Sequence, residues 1–96
     1  MTNYELMFII NPTLEEEKKN ADIEMVKTIV ENGGGEVSNV DVWGMRKLAY
    51  PIEKKSEGYY VVVDFQAPAD LPKEMSRRLR ISDDVMRHQI INKDAK

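Results

Sequence analysis

The chain contains 96 residues, of which 42% are hydrophobic and 32% are charged, and its formal net charge is −3. It has no cysteine and one histidine, which excludes disulfides, thiolate nucleophiles, cysteine-ligated metal centres and multi-histidine metal clusters. No apolar run approaches the length of a bilayer span, and no signal peptide is visible after Met1. We therefore expect one domain over residues 1–96 that stays in the cytoplasm, without a membrane partner or a cofactor.

The charge is distributed unevenly along the chain. Residues 1–36 carry eight acidic and three basic residues, whereas residues 37–96 carry nine acidic and eleven basic residues. Phosphate neutralisation requires cations, so the acidic total argues against a nucleic-acid partner at first sight. A bound polyanion responds to the local field of one surface, however, and the total charge therefore does not decide the question.

A strand is predicted at Tyr4–Ile10, with Leu6, Phe8 and Ile10 on one face. A helix is expected after it, because Thr13 and Glu16 have the spacing of a capping box and place its start near Leu14. Its apolar stripe should contain Ala21, Met25, Val26, Ile29 and Val30. The glycines at 33–35 then end the helix.

Two further strands are predicted at Glu36–Pro51 and Tyr59–Phe65, with a bulge at Gly44 and a short charged connection between them. This hairpin carries four cations and three aromatic rings: Arg46, Lys47, Lys54, Lys55, Tyr50, Tyr59 and Tyr60. Cations beside stackable rings on a sheet are typical of nucleic-acid binding. Ordinary solvated lysines on a hairpin are an equally good interpretation of these residues alone.

A second helix is predicted at Leu71–Arg80, with Asp70 as its N-cap and apolar residues at four-residue spacing on one face. Its outward arginines could bind phosphates, but we prefer the interpretation that they solvate the helix and interact favourably with the C-terminal end of its dipole. The last strand is predicted at Val85–Asn92, but its alternation is too irregular to decide which face is buried. His88 has no serine or acidic partner at a recognisable spacing, so we expect no catalytic base there.

The element order is thus βαββαβ, which predicts an α+β, ferredoxin-like split βαβ sandwich. Right-handed crossovers place both helices on one face of a four-stranded antiparallel sheet of order 4-1-3-2. The other face has no covering element and should carry Met7, Ile9, Tyr60 and Val62. This face is more apolar than solvent favours, so a partner is expected to cover it.

Several short motifs of this sequence occur together in one known family. They are Tyr4-Glu5, the run Met45-Arg46-Lys47-Leu48-Ala49-Tyr50-Pro51-Ile52, Lys54 with Gly58-Tyr59-Tyr60, Leu79-Arg80-Ile81, and Asp84-Val85-Met86-Arg87. In these motifs, and in their order over nearly the whole chain, the sequence closely resembles the bacterial small-subunit ribosomal protein S-six family.

The resemblance implies a structural ribosomal protein with no catalytic activity and no small-molecule substrate. It implies binding to the central domain of small-subunit ribosomal RNA, on the platform, together with ribosomal protein S-eighteen. By their positions in the motifs, five basic residues become candidates for RNA contact: Arg46, Lys47, Lys54, Arg80 and Arg87. The same resemblance makes Met7, Ile9, Tyr60 and Val62 candidates for the interface with the partner protein.

Two other functional classes remain open at this point. RNA-recognition motifs share the βαββαβ order, and Gly58-Tyr59-Tyr60-Val61 partly matches their aromatic strand-three motif, although the first strand offers no second stacking ring. The other class is a small hydrolase of the acylphosphatase type, for which no anion-cradling loop is visible.

Overall fold

The computed structural model describes residues 1–52 and 55–94 of the chain. Within these residues, four strands and two helices follow one another in the predicted order. The strands are β1 (Thr2–Ile10), β2 (Glu36–Ile52), β3 (Lys55–Ala67) and β4 (Val85–Asn92), and the helices are α1 (Glu16–Asn32) and α2 (Leu71–Arg80). Adjacent strands are antiparallel in the order β2-β3-β1-β4, which is the predicted order read from the opposite edge. The ferredoxin-like fold is therefore confirmed.

The hydrophobic core lies between the sheet and the two helices. Leu6, Phe8 and Ile10 of β1 are fully buried in it, as their alternation predicted. The other strands and helices add Tyr4, Val61, Val63, Phe65, Ala67, Ile23, Val26, Ile29, Val30, Leu71, Met75 and Leu79. Both helices contribute to this one cluster, so they cover the same side of the sheet. We call the opposite side the open face, because no element of the described residues covers it.

The predicted capping box of α1 does not form, and this expectation was wrong. The helix begins at Glu16 instead of near Leu14, and Glu15 occupies its N-cap without a side-chain hydrogen bond. Thr13 is engaged elsewhere, because its backbone N–H and its hydroxyl both donate to Asn11 Oδ1, at 3.0 and 2.8 Å. An Asx turn at Asn11 thus competes successfully with helix capping and delays the helix.

The buried stripe of α1 also differs in part from the predicted one. Val26, Ile29 and Val30 are buried as expected, but Ala21 is exposed. Lys19 and Asp22 are buried in its place. The Lys19 ammonium lies 4.6 Å from the centre of the Tyr59 ring, so its burial is accompanied by a cation–π contact.

α2 has the predicted bounds, and Leu71, Met75 and Leu79 form its buried face. Asp70 occupies the N-cap position, although its carboxylate makes no capping hydrogen bond. Neither helix in the part of the chain that the structure describes is long and apolar enough to cross a membrane.

The hairpin of β2 and β3 extends beyond the rest of the sheet. Tyr59 is the last β3 residue that pairs with β1, whereas the pairing with β2 continues through Gly58 and Glu57. A register shift follows Val42, and Gly44 has a φ of +80°, so the predicted bulge at this glycine is confirmed. The ribbon carrying the basic motif therefore projects from the body of the sheet.

The sequence pattern did not decide which face of β4 is buried. In the structure this face contains Val85, His88 and Ile90. Val85 and Ile90 pack against the core, and the His88 ring reaches Ser76 of α2. A bulge between Ile9 and Ile10 shifts the β1–β4 register. Because the bulge changes the parity, Val85 and Ile90 face the same side although their sequence positions differ by an odd number.

Asp22 is a buried carboxyl group facing the turn before β4. Only 6% of the residue is exposed, and its Oδ2 has no hydrogen-bond partner among the described residues. Its side chain lies within hydrogen-bonding reach of Asp84, which forms an ion pair with Lys18 at 3.3 Å. Burial, and then the Asp84 carboxylate, raise the pKa of Asp22 from 3.8 to about 6. When Asp22 is protonated, below about pH 6, it can donate to Asp84 and so join α1 to this turn.

We expect Asp22→Asn to remove a pH dependence from the stability of the protein. The folded-state pKa lies above the unfolded value, so the contribution of protonated Asp22 is complete below pH 3.8 and is lost as the pH rises through about 6. A shift of roughly two units corresponds to at most about 3 kcal/mol. Asparagine keeps a donor for Asp84 without the charge, so the variant should be the more stable protein at pH 8.

The measurement is the free energy of unfolding in urea at pH 4, 6 and 8, taken as the difference between variant and wild type. Glu31→Gln, which changes an exposed carboxylate of the same helix, serves as the control and should keep the wild-type profile. Parallel profiles for Asp22→Asn and wild type would contradict the shared proton.

Candidate functional site

The four residues predicted to face a protein partner all lie on the open face. In the β1–β3 register, Met7 pairs with Val62 and Ile9 pairs with Tyr60. Residues directly opposite each other in an antiparallel pair point to the same side of the sheet. The four side chains therefore form a contiguous cluster at the centre of the sheet.

These four residues differ in how much of them a partner could reach. Ile9 is 5% and Val62 is 8% exposed, whereas Met7 and Tyr60 are half-buried. The backbone of Gly58 packs closely against Ile9 and helps to bury it. This approach requires glycine, because a Cβ at position 58 would collide with Ile9 Cγ2. The accessible part of the cluster is thus formed by Met7 and Tyr60.

Trp43 is the main residue of this face that sequence reasoning missed. Its indole stacks on the Tyr60 ring with 6.2 Å between centroids and 7° between planes, and its Nε1 donates to Asp41 Oδ2 at 3.0 Å. Trp43 is still 43% exposed. The sequence did contain an indication of this role, because Trp43 precedes the glycine at which a bulge was predicted. A bulge interrupts the alternation of side chains between the two faces of a strand.

The candidate RNA contacts Arg46 and Arg87 flank this aromatic cluster. Arg46 is opposite Gly58 on β2, and Arg87 is opposite Ile9 on β4, so both lie on the open face and both are exposed. Three strand spacings separate their strands, a lateral distance of about 14 Å. Arg87 also borders a depression of about 240 Å³ that contains Met7, Ile9 and Tyr60.

Two of the other three candidate cations do not join this pair. Lys47 is opposite Glu57 and points to the other side of the hairpin, and Arg80 ends α2 on the helix side of the sheet. Lys54 lies outside the described residues, as does the side chain of Tyr50. The predicted RNA contacts are therefore spread over both sides of the sheet instead of converging on one site.

A groove of about 970 Å³ runs between α2 and β4, and we call it the α2–β4 groove. Its lining residues are Tyr4, Asp70, Pro72, Lys73, Glu74, Ser76, Arg77, Arg80, His88, Gln89, Ile90 and Asn92. Ser76 Oγ and His88 Nε2 are 2.7 Å apart within it. The sequence did not indicate this contact, because the fold joins two residues that no local spacing connects, and His88 itself is half-buried. Burial, and then the charge of Arg80, lower the pKa of His88.

The fold and these surfaces define a class of protein: a small ferredoxin-like α+β protein with an uncovered, aromatic sheet face bordered by cations. The family model described as Ribosomal protein S6 matches residues 3–92. The small ribosomal subunit protein bS6 of Clostridium acetobutylicum is 56% identical over 92 residues, covering 96% of this chain and 97% of that protein. The bS6 protein of Clostridium botulinum strain Hall is 53% identical over 94 residues, covering 98% of this chain and all of that protein.

A solved structure agrees with these sequence matches. The crystal structure of 30S ribosomal protein S6 from Thermotoga maritima superimposes with a TM-score of 0.91 at 35% identity, covering 96% of this chain and 87% of that one. The chain belongs to the ribosomal protein S6 family. It is a structural protein of the small subunit of the bacterial ribosome in the cytoplasm, and the family is not enzymatic. The resemblance drawn from the sequence is confirmed, and the hydrolase alternative falls away.

We expect Gly58→Ala to lower the stability of the protein. The added methyl group collides with Ile9, and overpacking at a buried contact typically costs about 1–3 kcal/mol. Urea unfolding of the variant measures this loss. Ser56→Ala, an exposed change two residues earlier in β3, is the control and should stay within about 0.5 kcal/mol of wild type. A Gly58→Ala variant as stable as the control would contradict the close approach.

Proposed function

We propose that this chain binds the central domain of small-subunit ribosomal RNA as a complex with ribosomal protein S-eighteen. In this proposal the partner packs on the open face, and cations bordering that face contact the RNA. The observation that carries the proposal is the exposed stack of Trp43 on Tyr60, next to Met7, on a side of the sheet that no described element covers.

The composition of the open face suits a protein partner. Tryptophan and tyrosine are enriched among residues that dominate binding energy in protein interfaces, and a contiguous apolar patch of this kind marks an interaction site. Ile91, which pairs with Glu5 on β1, extends the apolar area toward the β4 edge and is 44% exposed. The nearly buried Ile9 and Val62 support the patch from below and contribute little contact area of their own.

The charges on the open face favour a basic partner. Glu5 and Asp64 are opposite each other on β1 and β3, and Asp41 is opposite Val62 on the same face. Asp64 already pairs with Lys93 at 3.4 Å, so Glu5 and Asp41 are the carboxylates that a basic partner would meet. With a net charge of −3, the chain alone attracts a polyanion weakly. A basic protein docked beside Arg46 and Arg87 would produce a composite surface with a stronger positive potential. The proposed mechanism is therefore cooperative assembly.

The proposed RNA contacts are Arg46, Lys47, Lys54, Arg80 and Arg87. Guanidinium groups bind phosphates through two parallel hydrogen bonds and also stack on bases. The four of these cations that the structure describes lie on both sides of the sheet, which suits recognition of RNA shape and backbone more than readout of base edges.

Docking of S-eighteen should be visible in the fluorescence of Trp43, the single tryptophan of the chain. Burial of this half-exposed indole by the partner should shift its emission to shorter wavelength. By calorimetry, Trp43→Ser should weaken the complex roughly tenfold or more, because exposed aromatic anchors typically contribute above about 1.4 kcal/mol.

The control is Ile81→Ser, which removes a 69% exposed apolar residue from the turn after α2 and should leave partner affinity unchanged. Equal losses from Trp43→Ser and Ile81→Ser, or an unchanged emission spectrum at saturation, would place the partner elsewhere.

A titration of labelled central-domain RNA at two salt concentrations tests the second half of the proposal. We expect weak binding by the chain alone and tighter, salt-sensitive binding with S-eighteen present. Arg46→Ala and Arg87→Ala should each weaken RNA binding by the complex, and the control Lys27→Ala, on α1, should not. Tight binding of unstructured single strands without the partner would instead support a self-sufficient RNA-recognition sheet.

A further inference from the structure

We infer that the α2–β4 groove is a second RNA-binding surface, in which Lys73, Arg77 and Arg80 hold the sugar–phosphate backbone of one strand. The inference rests on the proposed RNA binding and adds to it a site on the helix side of the sheet. Of these three residues, Lys73 and Arg77 are new contacts.

The three cations form a stripe along α2. Positions 73, 77 and 80 recur at helical spacing, so they share one side of the helix over an axial length of about 10 Å. All three are exposed and line the groove, while Leu71, Met75 and Leu79 anchor the opposite side of the helix in the core. A rigid element thus carries the charged groups, which limits the entropy lost on binding.

The opposite wall of the groove is the edge strand β4. Its outer edge presents backbone groups that no other strand of the described residues pairs, because β4 is the last strand of that sheet. The side chains from β4 that line the groove are polar except Ile90: His88, Gln89, Ile90 and Asn92. Arg87 lies on the same strand but points to the open face. A strand of RNA along this edge would therefore meet cations of both faces.

The groove suits nucleic acid better than a peptide. Protein interfaces need large apolar or aromatic anchors, but Tyr4 is 6% exposed and Ile90 is half-buried, so neither of these side chains is freely accessible in the groove. Interfaces with nucleic acid are more polar and more positively charged. Two acidic residues, Asp70 and Glu74, also line the groove.

Glu74 already neutralises one of the cations. Arg77 donates to its carboxylate from Nη2 at 2.6 Å and from Nε at 3.1 Å. This pair is exposed, and exposed ion pairs contribute about 1 kcal/mol or less. A phosphate with several neighbouring cations can therefore displace the Glu74 carboxylate from Arg77.

His88 provides an internal probe of the groove, because it is the single histidine of the chain. Its ring contacts Ser76, and the charged residues lining the same groove are Asp70, Lys73, Glu74, Arg77 and Arg80. Burial and the Arg80 charge now favour the neutral imidazole. A bound phosphate would offset the Arg80 charge, so the His88 pKa should rise when RNA occupies the groove.

The first experiment compares the Lys73→Gln/Arg77→Gln double variant with Arg78→Gln in the complex with S-eighteen. Arg78 is exposed on the same helix but does not line the groove, so it is a matched control. The double variant should bind central-domain RNA roughly tenfold more weakly. Its salt dependence should fall by about one unit of log K per log salt for each lost phosphate contact. Arg78→Gln should match wild type.

The second experiment follows the imidazole of selectively labelled His88 by NMR as pH is varied, with S-eighteen present and RNA absent or present. An upward shift of the His88 pKa with RNA supports the inference. Wild-type affinity of the double variant, or a His88 titration that RNA leaves unchanged, overturns it while leaving the proposed function intact. A His88 signal that responds to S-eighteen but not to RNA also overturns it, by making the groove a protein site. Absence of RNA binding by the wild-type complex would remove both proposals.

Discussion

The one-sided packing of both helices on the sheet is the constraint on which the other features of this protein depend. Because α1 and α2 share one hydrophobic core with the inner side chains of β1 and β3, the sheet has a dry side and an open face. No helix covers the apolar side chains of the open face. Ile9 and Val62 are nearly buried there by neighbouring side chains of the sheet itself. The same constraint leaves β2 and β4 as free edges, next to which the cations lie.

Two glycines convert this plain sheet into a shaped surface. At Gly44 the positive φ supports a bulge, and Trp43 stacks on Tyr60 as a result. At Gly58 the missing side chain allows β1 and the projecting hairpin to approach closely around Ile9. A stacked, half-exposed indole thus depends on a backbone irregularity next to it, which links the local conformation of β2 to the binding surface.

The sequence predicted the fold well, because periodicity and turn residues act over short distances. The bounds of α2 and β4, the inner face of β1 and the bulge at Gly44 all followed from local patterns. The features that the sequence did not predict depend on contacts that a local pattern does not determine. Thr13 donates to Asn11 instead of accepting a hydrogen bond from the first turn of α1, and Ser76 meets His88 only through tertiary packing. The candidate cations came from motif positions, so their separation on two sides of the sheet required the structure.

The distribution of charge explains how an acidic protein can serve an RNA complex. The carboxylates concentrate on α1 and on the open face, whereas α2 and the borders of β2 and β4 carry the cations. A long-range attraction to any polyanion is therefore weak, because a distant phosphate experiences the negative total charge. At contact distance, salt screens the remote α1 carboxylates and the nearby arginines dominate. Such a surface binds RNA firmly only where its shape brings phosphates to the cations, which makes the geometry of the complex the source of its specificity.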